Sequence, residues 1–422
     1  MQKHIIVNSC GNGAFLIEIV GRYIDECKYY GLGNDRIINE LETYIHGIEI
    51  DNSLVEETIN KLTTLCKIKG LDLTNGITFD IQCKDTLTCT DYDGKMDYVV
   101  GNPPYCKVHD LKEKYDVVKD YTFAQGGMTD LYLVFFEIGI YMLNKTGKLG
   151  YITPNSWLTS KAGLNFRKWI KSTNKLSEIV QFGGMLLFDE ATTFTNITIL
   201  DNTKSDNEFK YSYGIDDKFY IGNLNKSFIN DCFYLGNDET LNNLYNIINF
   251  TTYNKIKIKN GFATLKDKMF IFKTKWKDNI FEENLIEMYK ASTGKTVTAI
   301  YPYDKEGKPI KYEDLNKKVQ EILETQADIF EIDTSKEDWY LYGRYQGIKD
   351  MSKHRIAINN LINDDVASIK LKYLEPYIGI YSGLYMVCEN DETFIQENYD
   401  KINEIIKSDD FINYIKFLGK YK

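Results

Sequence analysis

Short apolar runs alternate with longer amphipathic segments over the first 200 residues of the chain. The runs His4–Val7, Thr43–Asp51, Thr78–Cys83 and Tyr98–Val100 are rich in β-branched and aromatic residues, which is typical of buried strands. The segments between them have apolar residues at helical spacing, as in Ala14–Tyr29. This order predicts that strands and helices follow one another along the chain.

The alternation continues to residue 200. A strongly apolar helix is predicted for residues 129–143, and further strands for Gly147–Pro154, Glu178–Phe182 and a run that ends at Leu200. We therefore expect the α/β class, with a doubly wound, mostly parallel, seven-stranded Rossmann-like sheet.

The pattern changes after residue 200, where short strands are predicted around Tyr211–Ile221 and a helix over Thr240–Asn249. We expect a first domain over residues 1–200, a connector over 201–249 and a C-terminal α+β domain over 250–422.

A stiff loop follows the fourth predicted strand. Gly101 ends the strand, and Pro103 and Pro104 prevent both a helix and further ladder pairing. Asn102 and Tyr105 flank the two prolines, at the sheet edge where open α/β folds bind their ligands. An amide oxygen and a flat ring together suit a planar amine or amide.

Two other strand ends carry ligand-binding patterns. Gly11 and Gly13 lie in a turn between the first strand and the first helix, where they allow a ligand to approach the backbone. The second strand ends in acidic residues, which are placed to accept ribose hydroxyls. Asp85 follows the third strand and could accept a hydrogen bond from an adenine amino group.

Composition is ordinary for a water-soluble globular protein, with 27% charged and 43% hydrophobic residues. No apolar run approaches the roughly 20 residues that a membrane span requires. The eight cysteines have no paired CxxC spacing, and the four histidines share no ligand spacing. We therefore expect reduced thiols, a cytoplasmic location and no metal site.

Charge is distributed unevenly around the net value of −10. Residues 1–250 carry nine more acidic than basic side chains, whereas residues 251–422 are nearly neutral. Residues 251–277 contain eight lysines and a single acid, Asp267. A local lysine-rich face can contact phosphates whatever the total charge, although it can equally be a solvated surface.

The ordered set of motifs resembles the amino-group DNA methyltransferases, and more narrowly the gamma-ordered N6-adenine enzymes of the TaqI type. The resemblance rests on a series of N-terminal motifs and on three C-terminal segments. These are Asn8–Leu16, Gly47–Asp51, Lys84-Asp85, Gly101–Tyr105, residues 129–200, Ile258–Lys268, Tyr301–Asp304 and Tyr342–Gly347. It implies a site-specific, adenine-specific DNA methyltransferase of a prokaryotic or viral restriction–modification system.

The resemblance also implies a cofactor site for S-adenosyl-L-methionine, whose product is S-adenosyl-L-homocysteine. Glu49 would bind the ribose, Ile50 would contact the adenine and Asp85 would hold its amino group. The other cofactor-binding residues that it implies are Ser9, Cys10, Gly11, Gly13, Asn102 and Phe135.

For catalysis, the resemblance implies that the target adenine leaves the duplex, because its N6 atom cannot be reached inside the base stack. The Asn102 side chain and the Pro103 carbonyl would accept hydrogen bonds from N6. Tyr105 would stack on one face of the base, with Phe188, or second Phe194, on the other.

The implied partners are double-stranded DNA and a restriction endonuclease that acts on the same site. The residues expected to contact DNA are Lys255, Lys257, Lys259, Arg344 and Gln346. Arginine suits guanine and glutamine suits adenine, although a surface turn explains Arg344 and Gln346 equally well.

Two alternatives stay open. Val7 occupies the position at which the family usually has an acid, only three residues precede the first strand, and the chain stops at Leu418–Lys422, in the middle of the expected domain. These departures favour a degenerate, cofactor-poor homologue that still binds DNA. Methylation of a protein glutamine or of RNA is the other alternative, because Asn-Pro-Pro-Tyr also serves glutamine amides.

Overall fold

The computed structural model describes residues 2–108, 115–125, 129–182, 194–215, 218–249, 256–272, 284–360, 362, 366–409 and 411–412. The chain divides into two compact units, Met1–Ile247 and Ile248–Lys422.

The first unit contains one large sheet and a small hairpin. Its helices are α1 (Ala14–Tyr29), α2 (Asn34–Tyr44), α3 (Asn52–Ile68), α4 (Tyr115–Val118), α5 (Leu131–Met142), α6 (Leu164–Thr173), α7 (Leu224–Ser227) and α8 (Asp238–Asn249), the last of which crosses the boundary. Its strands are β1 (Ile5–Val7), β2 (Ile45–Glu49), β3 (Asp80–Cys83), β4 (Met96–Gly101), β5 (Leu143–Pro154), β6 (Leu176–Gln181), β7 (Thr195–Asp201), β8 (Glu208–Ser212), β9 (Tyr220–Asn223), β10 (Phe228–Ile229) and β11 (Cys232–Phe233).

The large sheet has the strand order β3-β2-β1-β4-β5-β7-β6-β8-β9. Strands β1 to β5 pair with one another in parallel, whereas β7 runs antiparallel between β5 and β6. The predicted α/β class with a mostly parallel sheet is therefore confirmed. The sheet has nine strands rather than the predicted seven, because β8 and β9 from the predicted connector pair with its edge.

Apolar side chains cover both faces of this sheet. Ile6, Val99 and Tyr151 belong to the cluster that contains α5, and Val7 belongs to the cluster that contains α1. Ten of the twelve residues of α5 are buried, as expected for a helix that is apolar all round. This burial holds the beginning of α5 against the carboxyl ends of β1 and β4.

The second unit has two four-stranded sheets, ordered β12-β19-β16-β17 and β13-β15-β14-β18. Its helices are α9 (Asp267–Phe270), α10 (Lys317–Ile329) and α11 (Phe394–Ile406). Its strands are β12 (Ile256–Asn260), β13 (Ile271–Phe272), β14 (Leu285–Lys290), β15 (Lys295–Ile300), β16 (Arg355–Ile358), β17 (Leu371–Leu374), β18 (Gly379–Tyr381) and β19 (Leu384–Cys388). The expected C-terminal α+β fold is therefore confirmed.

Candidate functional site

The candidate site lies at the carboxyl ends of β1 to β4. Strand β1 has β2 on one side and β4 on the other, so the strand order reverses direction at β1. Such a switch point opens a crevice outside the strand ends. A cleft of about 410 Å³ occupies this position, which is within the usual size of small-molecule sites.

The cleft brings together residues that are far apart in the sequence. Those predicted to bind the cofactor or the target base are Ser9, Gly11, Glu49, Ile50, Asp85, Asn102, Pro104 and Phe135. The remaining lining residues are Asn8, Ile48, Lys84, Thr86, Leu87 and Leu131.

The glycine loop between β1 and α1 needs left-handed backbone geometry. Gly11 and Gly13 have φ values of 53° and 87°. The Gly11 carbonyl accepts a hydrogen bond from the Thr58 hydroxyl at 3.0 Å, and the Asn12 carbonyl accepts one from Lys61 at 3.0 Å. Helix α3 therefore holds the loop from behind.

Replacing Gly13 by alanine is expected to destabilise the fold by about 2–4 kcal/mol. A Cβ atom at Gly13 would lie 2.9 Å from the Thr58 side chain, and the left-handed conformation alone costs about 1–2 kcal/mol. Gly31 is a matched control, because it also has positive φ but no atom within 4 Å of the added carbon. Chemical denaturation of both variants measures the difference; equal losses would contradict the proposed contact with Thr58.

Glu49 links the end of β2 to the glycine loop. Its carboxylate accepts hydrogen bonds from the backbone N–H groups of Gly11 at 2.8 Å, Ile50 at 2.9 Å and Asp51 at 3.2 Å. The side chain is half-buried and lines the cleft. Two ionised oxygens have more acceptor sites than these three donors use, so the carboxylate can still accept from a ligand.

Apolar and acidic groups line the cleft near the ends of β2 and β3. Ile50 leaves 54% of its surface exposed, and Phe135 on α5 also lines the cleft. The Asp85 carboxylate accepts a hydrogen bond from the Leu87 N–H at 3.1 Å, which fixes its orientation. Ile50 and Phe135 thus offer apolar surfaces to a ligand, and Asp85 adds a carboxylate acceptor to that of Glu49.

The loop after β4 lies at the other side of the cleft. The Tyr105 hydroxyl has one hydrogen to donate and lies within hydrogen-bond distance of two acceptors, the Asn102 side-chain oxygen and the Ile152 carbonyl, the latter at 3.1 Å. Burial raises the pKa of Tyr105. The Tyr105 ring meets Tyr132 edge-on at 6.3 Å, and Pro103 is buried. The loop is thus anchored by β5 and α5, with the Asn102 amide turned towards the cleft.

Five described residues that were predicted for the cofactor, the reaction or the target base do not line the cleft, namely Cys10, Gly13, Pro103, Tyr105 and Phe194. Cys10 is 6% exposed and packs into the apolar core, where burial, with a smaller contribution from the charge of Glu49, raises the pKa of its thiol to about 12. Gly13 lies behind the loop as the first residue before α1. Phe194 is at the ends of β5 and β7, where its carbonyl accepts the Asn155 N–H at 2.9 Å. Phe188 lies outside the described residues.

Asn8 is the most informative residue that the sequence did not single out. It is fully buried, its side-chain oxygen accepts the Tyr151 hydroxyl at 2.9 Å, and its carbonyl accepts the Thr86 hydroxyl at 2.6 Å. It therefore joins β1 to β5 and to the segment after β3. A polar residue directly after an apolar strand was the available signal.

The structure separates the lysines predicted to contact DNA. Lys257 on β12 is exposed, whereas Lys259 forms ion pairs with Asp350 at 2.9 Å and Glu389 at 2.7 Å. Lys255 lies outside the described residues. The backbone of Arg344 pairs with that of Ala263 in both directions at 3.0 Å, next to the end of β12. The side chains of Arg344 and Gln346 are exposed.

Within the described residues, no group of three or more histidine, cysteine or acidic side chains is placed to hold a metal ion. The described helices include none that is long and apolar enough to cross a membrane.

Residues 31–188 match the model of the Eco57I restriction-modification methylase family. The chain is 23% identical to the type II restriction enzyme and methyltransferase RM.Eco57I of Escherichia coli, over 84% of this chain and 45% of that protein. It is 24% identical to the type II methyltransferase M.BanIII of Aneurinibacillus aneurinilyticus, over 64% of this chain and 52% of that protein. The chain thus spans about half the length of these two relatives.

The fold is similar to that of the type IIL restriction–modification enzyme MmeI, solved in complex with DNA, with a TM-score of 0.64. The identity is 11%, and the similarity covers 92% of this chain and 57% of that one. In sequence, the chain is thus similar to type II restriction–modification methyltransferases. The resemblance drawn from the sequence is confirmed at that level.

Proposed function

We propose that the chain is a gamma-group, TaqI-like DNA methyltransferase that transfers a methyl group to the N6 amino group of adenine. The observation that carries this proposal is that Asn102 lines the same cleft as Gly11, Glu49 and Asp85. One cavity therefore contains both the Asn102 amide, which can accept hydrogen bonds from an amine, and the residues whose pattern is typical of nucleoside binding. In this proposal residues 1–200 are catalytic and residues 250–422 recognise the DNA target.

The residues of the cleft fit S-adenosyl-L-methionine, which supplies an electrophilic methyl group bonded to a positively charged sulfur. Glu49 would accept hydrogen bonds from the ribose hydroxyls, and Asp85 from the adenine amino group. Ile50 and Phe135 would cover the adenine ring on apolar surfaces. Ser9 and Gly11, which line the cleft in the loop before α1, would lie against the methionine part of the cofactor.

Asn102 and Pro103 would orient the target amine. Two hydrogen bonds from N6 to their oxygens would fix the amino group and draw its hydrogens away, which leaves the nitrogen lone pair directed at the methyl group. An amide cannot act as a general base, so the proton would leave the nitrogen after methyl transfer. Orientation and electrostatic preorganisation would then supply most of the rate enhancement.

The hydrogen bond between Tyr105 and Asn102 has a role in this proposal. The Asn102 oxygen has two lone pairs, so it can accept from the Tyr105 hydroxyl and from N6 together. The tyrosine would hold the amide in place and present its ring to the flipped-out base, a movement that the target adenine requires. Phe188 or Phe194 would contact its other face.

Val7 favours a second candidate function. Its side chain is fully buried in an apolar cluster, so β1 offers no carboxylate to the glycine loop. A homologue that binds DNA but binds the cofactor poorly would share this feature. The hydrogen bond from the Gly11 N–H to Glu49 argues for the active enzyme, because it gives the loop an acidic partner from β2 instead.

Titration calorimetry of the chain with S-adenosyl-L-methionine separates the two candidates. We expect one site with micromolar affinity, of about −8 kcal/mol. Binding that is undetectable at millimolar cofactor would exclude the active enzyme in favour of the binding-only homologue.

Incorporation of labelled methyl groups then identifies the substrate. We expect transfer to unmethylated duplex DNA and N6-methyladenine after its digestion to nucleosides. Equal amounts of RNA and of a glutamine-containing peptide are the controls. Transfer to either of these and not to DNA would contradict the proposal. Protection of the methylated DNA from a restriction endonuclease acting at the same site would identify the proposed partner.

A further inference from the structure

A second cleft, of about 780 Å³, lies within the second unit and is distinct from the residues already assigned to DNA contact. Its lining includes three basic side chains, Lys268, Lys290 and Lys295, and a single acidic one, Asp267. Lys268 and Lys295 are exposed, and Lys290 is half-buried.

Two of these lysines face each other in a costly arrangement. Lys290 ends β14 and Lys295 begins β15, and the antiparallel register pairs the two residues directly. Like charges directly opposite one another destabilise a β-hairpin. The arrangement is therefore unfavourable for folding and becomes favourable when an anion lies between the two ammonium groups.

Aromatic rings contact two of the three lysines, Lys268 and Lys290, and leave their charge unneutralised. The Lys290 nitrogen lies 5.4 Å from the centre of the Tyr381 ring, and the Lys268 nitrogen lies 5.5 Å from that of Phe330. Both distances are within the range of cation–π attraction, which orients the lysine and preserves its charge.

No ion pair reduces this positive charge within the described part of the chain. None of the three lysines forms a salt bridge there, in contrast to Lys259, which contacts two carboxylates. Asp267 accepts a hydrogen bond from the Thr264 hydroxyl. The cleft therefore carries an excess of two positive charges.

We propose that this cleft binds the phosphate backbone of duplex DNA. Three ammonium groups supply the charge, and the hydroxyls of Thr293 and Thr296, which also line the cleft, can donate hydrogen bonds to phosphate oxygens. Contacts of this kind set the position of a protein on the duplex and read no sequence. The proposal rests on the proposed function, because DNA is the substrate there, and it specifies which lysines hold that substrate.

The test compares two triple variants of the full chain with equal changes of charge. Lys268, Lys290 and Lys295 are replaced by glutamine in the first. The second variant, which is the control, replaces Lys311, Lys317 and Lys318 by glutamine. These three lysines are exposed on the same unit and do not line the cleft. Fluorescence anisotropy with a labelled duplex of about 30 base pairs, between about 50 and 200 mM salt, gives the affinity and its salt dependence.

For the cleft variant we expect a loss of affinity of about 10- to 100-fold at the lower salt concentration. The slope of log K against log salt should become shallower by about 2.7, since each lost phosphate contact contributes about 0.9. The control variant should keep a slope close to that of the unmodified chain. An unchanged slope in the cleft variant, or equal losses in both variants, would overturn the proposal, and thermal unfolding confirms that both remain folded.

The two proposals fail in different ways. If the cleft variant methylates DNA normally and its salt slope is unchanged, the cleft does not bind DNA, and the proposed function is unaffected. If duplex binding depends on the three lysines but the unmodified chain transfers no methyl group, the cleft proposal holds and the proposed function is contradicted. If the unmodified chain does not bind duplex DNA at low salt, both are overturned.

Discussion

Replacing Asn102 by alanine is expected to reduce methyl transfer by about 1,000-fold and to leave the affinity for S-adenosyl-L-methionine within about threefold of its original value. Removing one preorganised group that acts on the reacting atoms typically costs about 100- to 1,000-fold in rate. Asn102 is proposed to orient the amine and to fix its hydrogen bonding, so the upper end of this range is expected.

The structure indicates that this substitution leaves the fold intact. The Tyr105 hydroxyl loses its contact with Asn102 but keeps the Ile152 carbonyl as an acceptor at 3.1 Å. Asn102 is also only half-buried, so its loss leaves no large cavity. A reduced rate in the folded variant can therefore be attributed to the reaction.

Single-turnover methyl transfer and calorimetry measure the two quantities separately. Asn60→Ala is a matched control, because Asn60 is exposed on α3 and has no place in the cleft. Full activity of the Asn102 variant would refute its proposed role. A parallel loss of cofactor affinity would instead assign Asn102 mainly to the cofactor site.

Replacing Glu49 by glutamine is expected to weaken S-adenosyl-L-methionine binding by about 100-fold, or about 2.7 kcal/mol. The carboxylate accepts hydrogen bonds on both oxygens, from Gly11 on one side and from Ile50 and Asp51 on the other. A glutamine amide has one oxygen and one NH2 group. In either orientation, the NH2 group would face a backbone N–H donor, either that of Gly11 or those of Ile50 and Asp51. The glycine loop or the end of β2 would then lose its partner, together with the acceptor for the ribose.

The same substitution should lower the free energy of unfolding by about 1–3 kcal/mol, because a backbone N–H is left without its acceptor. Glu57→Gln is the control, since Glu57 forms an ion pair with Lys61 on the surface of α3, and such pairs contribute about 0–1 kcal/mol. Calorimetry and denaturation measure both effects. If Glu49→Gln binds the cofactor as tightly as the original chain, the carboxylate is not the ribose acceptor.

Local sequence patterns predicted much of the first unit. Helix α1 has the predicted bounds, Ala14–Tyr29, because apolar spacing begins directly after the glycine loop. Proline residues and strand propensity act over a few positions, so the loop at 102–105 could be placed after a strand without tertiary information. Parallel strands bring their carboxyl ends to one edge, and for that reason Glu49, Asp85 and Asn102 could be predicted to lie close together.

Long-range pairing could not be predicted in the same way. Strand β7 lies between β5 and β6, so its position depends on pairing with two strands at once. Strands β8 and β9 extend the sheet beyond β6, because an open edge offers unpaired backbone groups to another segment. The predicted fold class is confirmed, but the strand count differs for this reason. The pairing of Asn8 with Tyr151 could not be predicted either, since the two residues are 143 positions apart.

The basic residues illustrate the division between sequence and structure. Composition and local propensity depend on neighbouring residues, so they are enough to show that lysines are concentrated after residue 250 and that a proline-rich loop with Asn102 follows a strand. Which lysines remain without a carboxylate partner depends on the folded arrangement of the described residues. Lys259 meets Asp350 and Glu389, whereas Lys290 meets the Tyr381 ring, and such partners are chosen by packing between segments far apart in the chain.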